Sequence, residues 1–80
     1  MEFAIIRPTK TITHQVNWIE LESNKGNLVI MPGHAPTFLL TKPQSTVTWE
    51  STANAIESLT IGSGIVHVDR TKTTLIIDKE

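Results

Sequence analysis

The run Trp18-Ile19-Glu20-Leu21-Glu22-Ser23-Asn24-Lys25-Gly26-Asn27-Leu28-Val29-Ile30 reads as a β-hairpin. Ile19 and Leu21 alternate with Trp18, Glu20 and Glu22, the two-residue period of a strand with one buried and one wet face. Ser23 to Asn27 supplies the turn chemistry, with Gly26 as the residue best suited to a positive φ. Leu28 and Ile30 then share one face of the returning strand.

Thr, Ile and Val dominate the rest of the chain in the same short bursts, as β-branched side chains do on pleated surfaces. Candidate strands fall at 2–7, 10–13, 15–22, 27–31, 37–41, 45–50, 55–61, 64–69 and 73–78. Val66 and Val68 face one way, leaving His67 opposite. Leu75 and Ile77 repeat the pattern with Ile76 opposite, and Val47 shares an inward face with Trp49. Pro8, Pro32, Pro36 and Pro43 fall where strands must stop, because proline lacks the N–H that a central ladder needs. Gly62-Ser63-Gly64 reads as a bulge or tight bend, and Asp69 to Lys72 as the last turn. Thr52–Ser58 is the one stretch that could turn helical, and it is too short to hold a helix alone. The expected fold is all-β, a flattened antiparallel β-sandwich of about ten short strands forming one domain over residues 1–80.

The chain has 80 residues, no cysteine, a formal net charge of −1, 39% hydrophobic and 19% charged residues. These values fit a small globular domain without disulfides or a thiolate zinc site. A sequence pI of about 6.3 argues against nucleic acid as a partner, which would call for a basic face. No apolar run reaches the roughly 18 residues of a membrane span. Met1-Glu2-Phe3 lacks the basic start of a signal peptide, so the expectation is a cytosolic chain.

Little here can carry chemistry. His14, His34 and His67 are too far apart in sequence to ligate one metal from a single strand. No nucleophile elbow or Gly-rich phosphate cradle exists, and Glu20 and Glu22 read as solvating charges on an exposed face. The expectation is therefore no catalytic residue, no metal and no cofactor. Two features stand out instead. Met31-Pro32-Gly33-His34-Ala35-Pro36 is a stiff corner whose rigidity lowers the ordering cost of binding. Trp18 shares the outward face of its strand, and exposed tryptophan is enriched at interface hot spots.

The run Gly26-Asn27-Leu28-Val29-Ile30-Met31-Pro32-Gly33-His34-Ala35-Pro36, with Leu39-Leu40 and Lys42-Pro43 after it, resembles the signature of the epsilon subunit of F-type ATP synthases. Val16, Ile19 and Leu21 upstream, Gly62 to Val68 and Thr74 to Asp78 downstream, are similar to that family's flanking strands. The resemblance implies the family's amino-terminal β-sandwich, a non-catalytic rotor part at the foot of the central stalk. Its implied partners are the gamma subunit and the membrane-embedded c-ring, so that it helps couple proton translocation to ATP synthesis. The implied location is the cytoplasmic side of an energy-transducing membrane, here a bacterial inner membrane, with the membrane met only through the c-ring.

By the same resemblance, Lys25, Gly26 and Asn27 form the ring-facing hairpin tip, while Pro32, Gly33, His34 and Pro36 lie towards the gamma subunit. Relatives usually carry acidic residues beside that glycine, where Lys25 and Asn27 stand here. Gln44 replaces a turn glycine, and Ser63 one member of a Gly-Gly pair. The family's two-helix hairpin, with its inhibitory role and nucleotide site, would follow Asp78-Lys79-Glu80, so no nucleotide binding is expected of this chain. The competing readings are a stand-alone β-sandwich module binding sugars or peptides in a pocket with Trp18, and a small cupin-like metalloenzyme using the histidines.

Overall fold

A computed structural model describes residues 1–80. Its eight strands are β1 (Glu2–Ile6), β2 (Thr11–Ser23), β3 (Gly26–Ile30), β4 (Thr37–Leu40), β5 (Ser45–Ser51), β6 (Ile56–Ile61), β7 (Ser63–Val68) and β8 (Lys72–Lys79). No segment is helical. The candidate strands at 10–13 and 15–22 are one continuous strand, and that strand organises the fold. Thr11 to Gln15 pairs with β1 in a sheet ordered β4-β7-β8-β1-β2, here called sheet A. From Val16 onward β2 pairs with β3 and β5 in sheet B, which β6 extends. The two sheets contribute to one shared core in a body of 27 × 26 × 18 Å.

A β-bulge lets one strand serve both sheets. Val16 opposes Ser51 and Trp18 opposes Glu50, which leaves Asn17 as the extra residue. The bulge shifts the phase of β2, so Val16 and Ile19, three residues apart, are both buried. Asn17 holds the bulge through its Nδ2, which donates to Glu50 Oε1 at 2.9 Å and to the Ser51 carbonyl at 3.2 Å. The chain crosses back between sheets at Gly62, the bend expected there. A Cβ on Gly62 would sit 3.0 Å from the Lys79 carbonyl, and one on Gly64 would sit 3.0 Å from the Ile76 carbonyl. The β7–β8 register shifts beside it, between Ser63 and Gly64.

One pairing differs from the antiparallel expectation. β1 runs parallel to β8, Phe3 opposite Thr73 and Ile5 opposite Leu75. Alternation encodes which face a side chain takes, not which strand lies beside it, so this closure is invisible in the pattern.

The core has the expected members. Ile19, Ile30, Val47, Val66 and Val68 are completely buried, with Leu21, Trp49, Leu75 and Ile77 nearly so. Leu28 packs on them half-buried. Phe3 joins from β1, edge-on to Trp49 with ring centroids 5.3 Å apart. His14 lies 5.2 Å from Trp49 on the same side of β2 and closes that end of the core.

Candidate functional site: two loops, one groove and an apolar sheet face

The hairpin at Lys25, Gly26 and Asn27 is built by Ser23. Its hydroxyl donates to the Gly26 carbonyl at 2.9 Å and accepts from the Lys25 N–H at 3.1 Å. Gly26 has φ +114°, open to glycine and strained for other residues. The hairpin is fastened to the end of β4 by two backbone bonds, Asn24 N–H to the Leu40 carbonyl at 3.0 Å and Lys42 N–H to the Glu22 carbonyl at 2.9 Å. Its tip residues are exposed.

Met31-Pro32-Gly33-His34 is a type II turn. Proline occupies the second position, Gly33 has φ +86°, and the His34 N–H donates to the Met31 carbonyl at 3.1 Å. Gly33 N–H also donates to the Arg70 carbonyl at 2.9 Å, tying the corner to the β7–β8 turn. The His34 ring bonds the Ala35 carbonyl from Nδ1 at 2.8 Å, leaving Nε2 as its outward nitrogen.

Sequence reasoning gave these two loops separate partners. In space they form the two walls of one groove of about 410 Å³, where the edges of β3 and β4 part. Lys25, Gly26 and Asn27 stand on one side, His34 and Pro36 on the other, over Leu28 and Leu39. Trp18 is elsewhere. It lies half-buried on the outer face of sheet B, opposite Glu50, and lines none of the three surface grooves. The tryptophan-lined pocket that a sugar- or peptide-binding module calls for is therefore not formed.

The outer faces of the two sheets differ sharply. On sheet B, Thr46, Thr48, Ser58 and Thr60 lie beside Glu20, Glu22 and Glu50. Its exposed apolar residues, Val29 and Ile56, stand at opposite edges and need no special explanation. On sheet A the registers Leu40↔Ile65, Ile65↔Ile76 and Ile6↔Ile76 set four aliphatic side chains in one row across β4, β7, β8 and β1. Leu40 is 54% exposed, Ile65 41% and Ile76 42%. In the next row Phe38, 71% exposed, stacks on His67 with centroids 4.4 Å apart and planes 16° from parallel. Thr74 and Ala4 continue that row, and the Lys72–Glu2 ion pair at 3.3 Å bounds it.

Contiguous exposed apolar patches of this kind are characteristic of protein interaction surfaces. Of its members, His67 and Ile76 were assigned outward from the sequence, but the band was not. A signal for it exists. In sheet B, β5 alternates apolar with polar, and only the edge strand β3 holds an apolar triplet, Leu28-Val29-Ile30. In sheet A, Ile5-Ile6, Phe38-Leu39-Leu40, Ile65-Val66 and Leu75-Ile76-Ile77 give β1, β4, β7 and β8 each a consecutive apolar run, as in strands buried on both faces.

The profile described as the ATP synthase Delta/Epsilon chain beta-sandwich domain matches residues 1–79. No curated protein matches the sequence significantly. Among solved structures, the fold is similar to a chain of the Euglena gracilis mitochondrial ATP synthase, in its OSCP/F1/c-ring assembly, with TM-score 0.83 and 20% identity. That match covers 94% of this chain and 48% of the other. A chain in the central stalk/c-ring structure of the Tetrahymena thermophila mitochondrial ATP synthase is similar with TM-score 0.80 and 18% identity, covering 96% of this chain and 62% of that one. The chain thus spans about half to three fifths of the length of these structural relatives. With the profile match running over all but the last residue, the chain belongs to the family of ATP synthase delta/epsilon chain β-sandwich domains.

Proposed function

We propose that this sandwich is a non-catalytic rotor domain of an F-type ATP synthase, held between the gamma subunit and the c-ring so that ring rotation reaches the catalytic head. The observation that carries this reading is the apolar band on sheet A, in a family whose domain belongs to that complex. Phe38, Leu40, Ile65 and Ile76 form the surface for gamma. The carboxylate- and hydroxyl-rich face of sheet B stays in water. The Lys25–Asn27 tip meets the polar loops of the ring, and the corner of Pro32, Gly33, His34 and Pro36 sits at the gamma side of the shared groove, while Trp18, on the outer face of sheet B, belongs to neither contact. Residues 1–80 act as one unit and touch the membrane only through the ring, on the cytoplasmic side of a bacterial inner membrane.

Co-expression with the cognate gamma subunit tests it. Phe38→Glu or Ile65→Lys should abolish co-purification, because either places an unpaired charge inside a desolvated apolar contact. Glu20→Lys, on the other face, should leave it intact, and Lys25→Glu should weaken retention on the c-ring more than on gamma. Co-purification of the Phe38→Glu chain at wild-type yield would remove the proposal.

A further inference from the structure

Within the apolar band one member is not aliphatic. His67 stands in the middle strand pair of sheet A, on β7 between β4 and β8, with Phe38 stacked on its ring and Thr74 opposite. Ile65, two residues back on the same face, continues the band beside it. Any partner that covers Phe38 and Ile65 must also cover this imidazole. Histidine is the side chain whose charge ordinarily changes between about pH 5 and 8. A neutral ring fits an apolar contact, whereas an imidazolium there loses its hydration without a counter-charge.

The surroundings offer no such counter-charge. β4 contributes no ionisable group, since its residues are Thr37, Phe38, Leu39 and Leu40. On the β8 and β1 side the charged groups of this face are Lys72 and Glu2, already paired with each other at 3.3 Å, and Asp78, four residues along β8 from Thr74, which accepts from the Ser63 hydroxyl at 3.4 Å. At the β7–β8 turn, Asp69 accepts the Arg70 N–H at 2.7 Å through its own Oδ1, and Arg70 carries the opposite charge. The proline corner tied to that turn brings His34, whose Nδ1 already bonds the Ala35 carbonyl.

We infer that the Phe38–His67 stack is the anchor of the docking face and that docking requires its imidazole neutral, so association on this surface is linked to loss of one proton. This rests on the reading that sheet A docks the gamma subunit. The sign follows from linkage. Water reaches the ring in the free domain and not under a covering partner, so an imidazolium is penalised in the complex alone and affinity falls as the pH drops. The fall approaches about tenfold per pH unit for a single linked proton.

The test measures affinity of the full chain for purified cognate gamma subunit between about pH 7.5 and 5.5, with circular dichroism checking that the fold persists. Wild type should lose about tenfold or more over this window. His67→Phe, which keeps a ring to stack on Phe38, should bind with a flat profile, and His67→Lys should bind weakly at every pH. His14→Gln, at the core end against Trp49 and outside the docking face, should keep the wild-type slope. A flat wild-type profile, or a slope that survives in His67→Phe, overturns the proton linkage while leaving the docking reading in place. Absence of binding at every pH, with the fold intact, overturns the docking reading itself.

Discussion

Gln44 has φ +54° in the turn after Lys42-Pro43, a left-handed conformation that a residue with a Cβ occupies at a cost. The side chain is exposed and its backbone N–H donates to the Gly62 carbonyl at 2.9 Å, so the turn itself is fixed by the fold. Replacing Gln44 with glycine removes about 1–2 kcal/mol of steric strain. It also frees the unfolded chain, which returns about 0.5–1 kcal/mol of that gain. The net expectation for Gln44→Gly is stabilisation by about 0.5–1 kcal/mol, or a rise in Tm of about 2–8 °C for a domain of this size. Gln44→Ala keeps the Cβ and should match wild type. Urea unfolding of the three chains, with an unchanged m-value, isolates the effect. If Gln44→Gly is no more stable than Gln44→Ala, the strain is not there and the reasoning fails. The sequence had flagged this position as a departure from the family's glycine, and the dihedral gives the physical content of that departure.

Gly64→Ala should destabilise by about 1–3 kcal/mol in the same assay, because the new Cβ meets the Ile76 carbonyl and Leu75 Cδ1 at 3.0 Å and the carbonyl is fixed in the ladder. Asn17→Ala should cost about 1–3 kcal/mol by leaving the Ser51 carbonyl and Glu50 without their donor at the bulge. Ile19→Ala, at a completely buried position, should cost about 2–5 kcal/mol.

Much of this architecture was legible because half-buried strands advertise their phase. Leu21 and Val68 alternate with polar neighbours and lie inside, and the same two-residue period carries Ile19, Ile30 and Val66 inward, with Leu28 half-buried beside them. Gly26 and Gly33 stand where turns demand positive φ. The spacing of three between Val16 and Ile19 was the trace of the bulge, but it acquires meaning only when β1 and β5 are seen to claim different halves of β2. Strand neighbours were not legible, and the parallel β1–β8 contact joins the two ends of the chain. The docking face was hidden for a related reason. Phe38-Leu39-Leu40 is apolar throughout, so nothing in it says that Leu39 turns in and Phe38 turns out until β7 fixes the register. Trp18 shows the opposite case: its outward phase was right, yet it lies on the polar sheet, away from the aliphatic row.

The central claim is that one face of the sandwich is covered and the other is not. The chain has no cysteine, so single thiols can report on each face separately. Ile65→Cys probes sheet A and Thr60→Cys probes sheet B, both at exposed positions. Maleimide labelling of each variant, free and assembled with gamma, reads the coverage directly. The account predicts that the thiol at position 65 reacts in the free domain and is protected on assembly, while the thiol at position 60 reacts equally in both. Equal labelling at position 65 in the two states, or protection at position 60 alone, would contradict it.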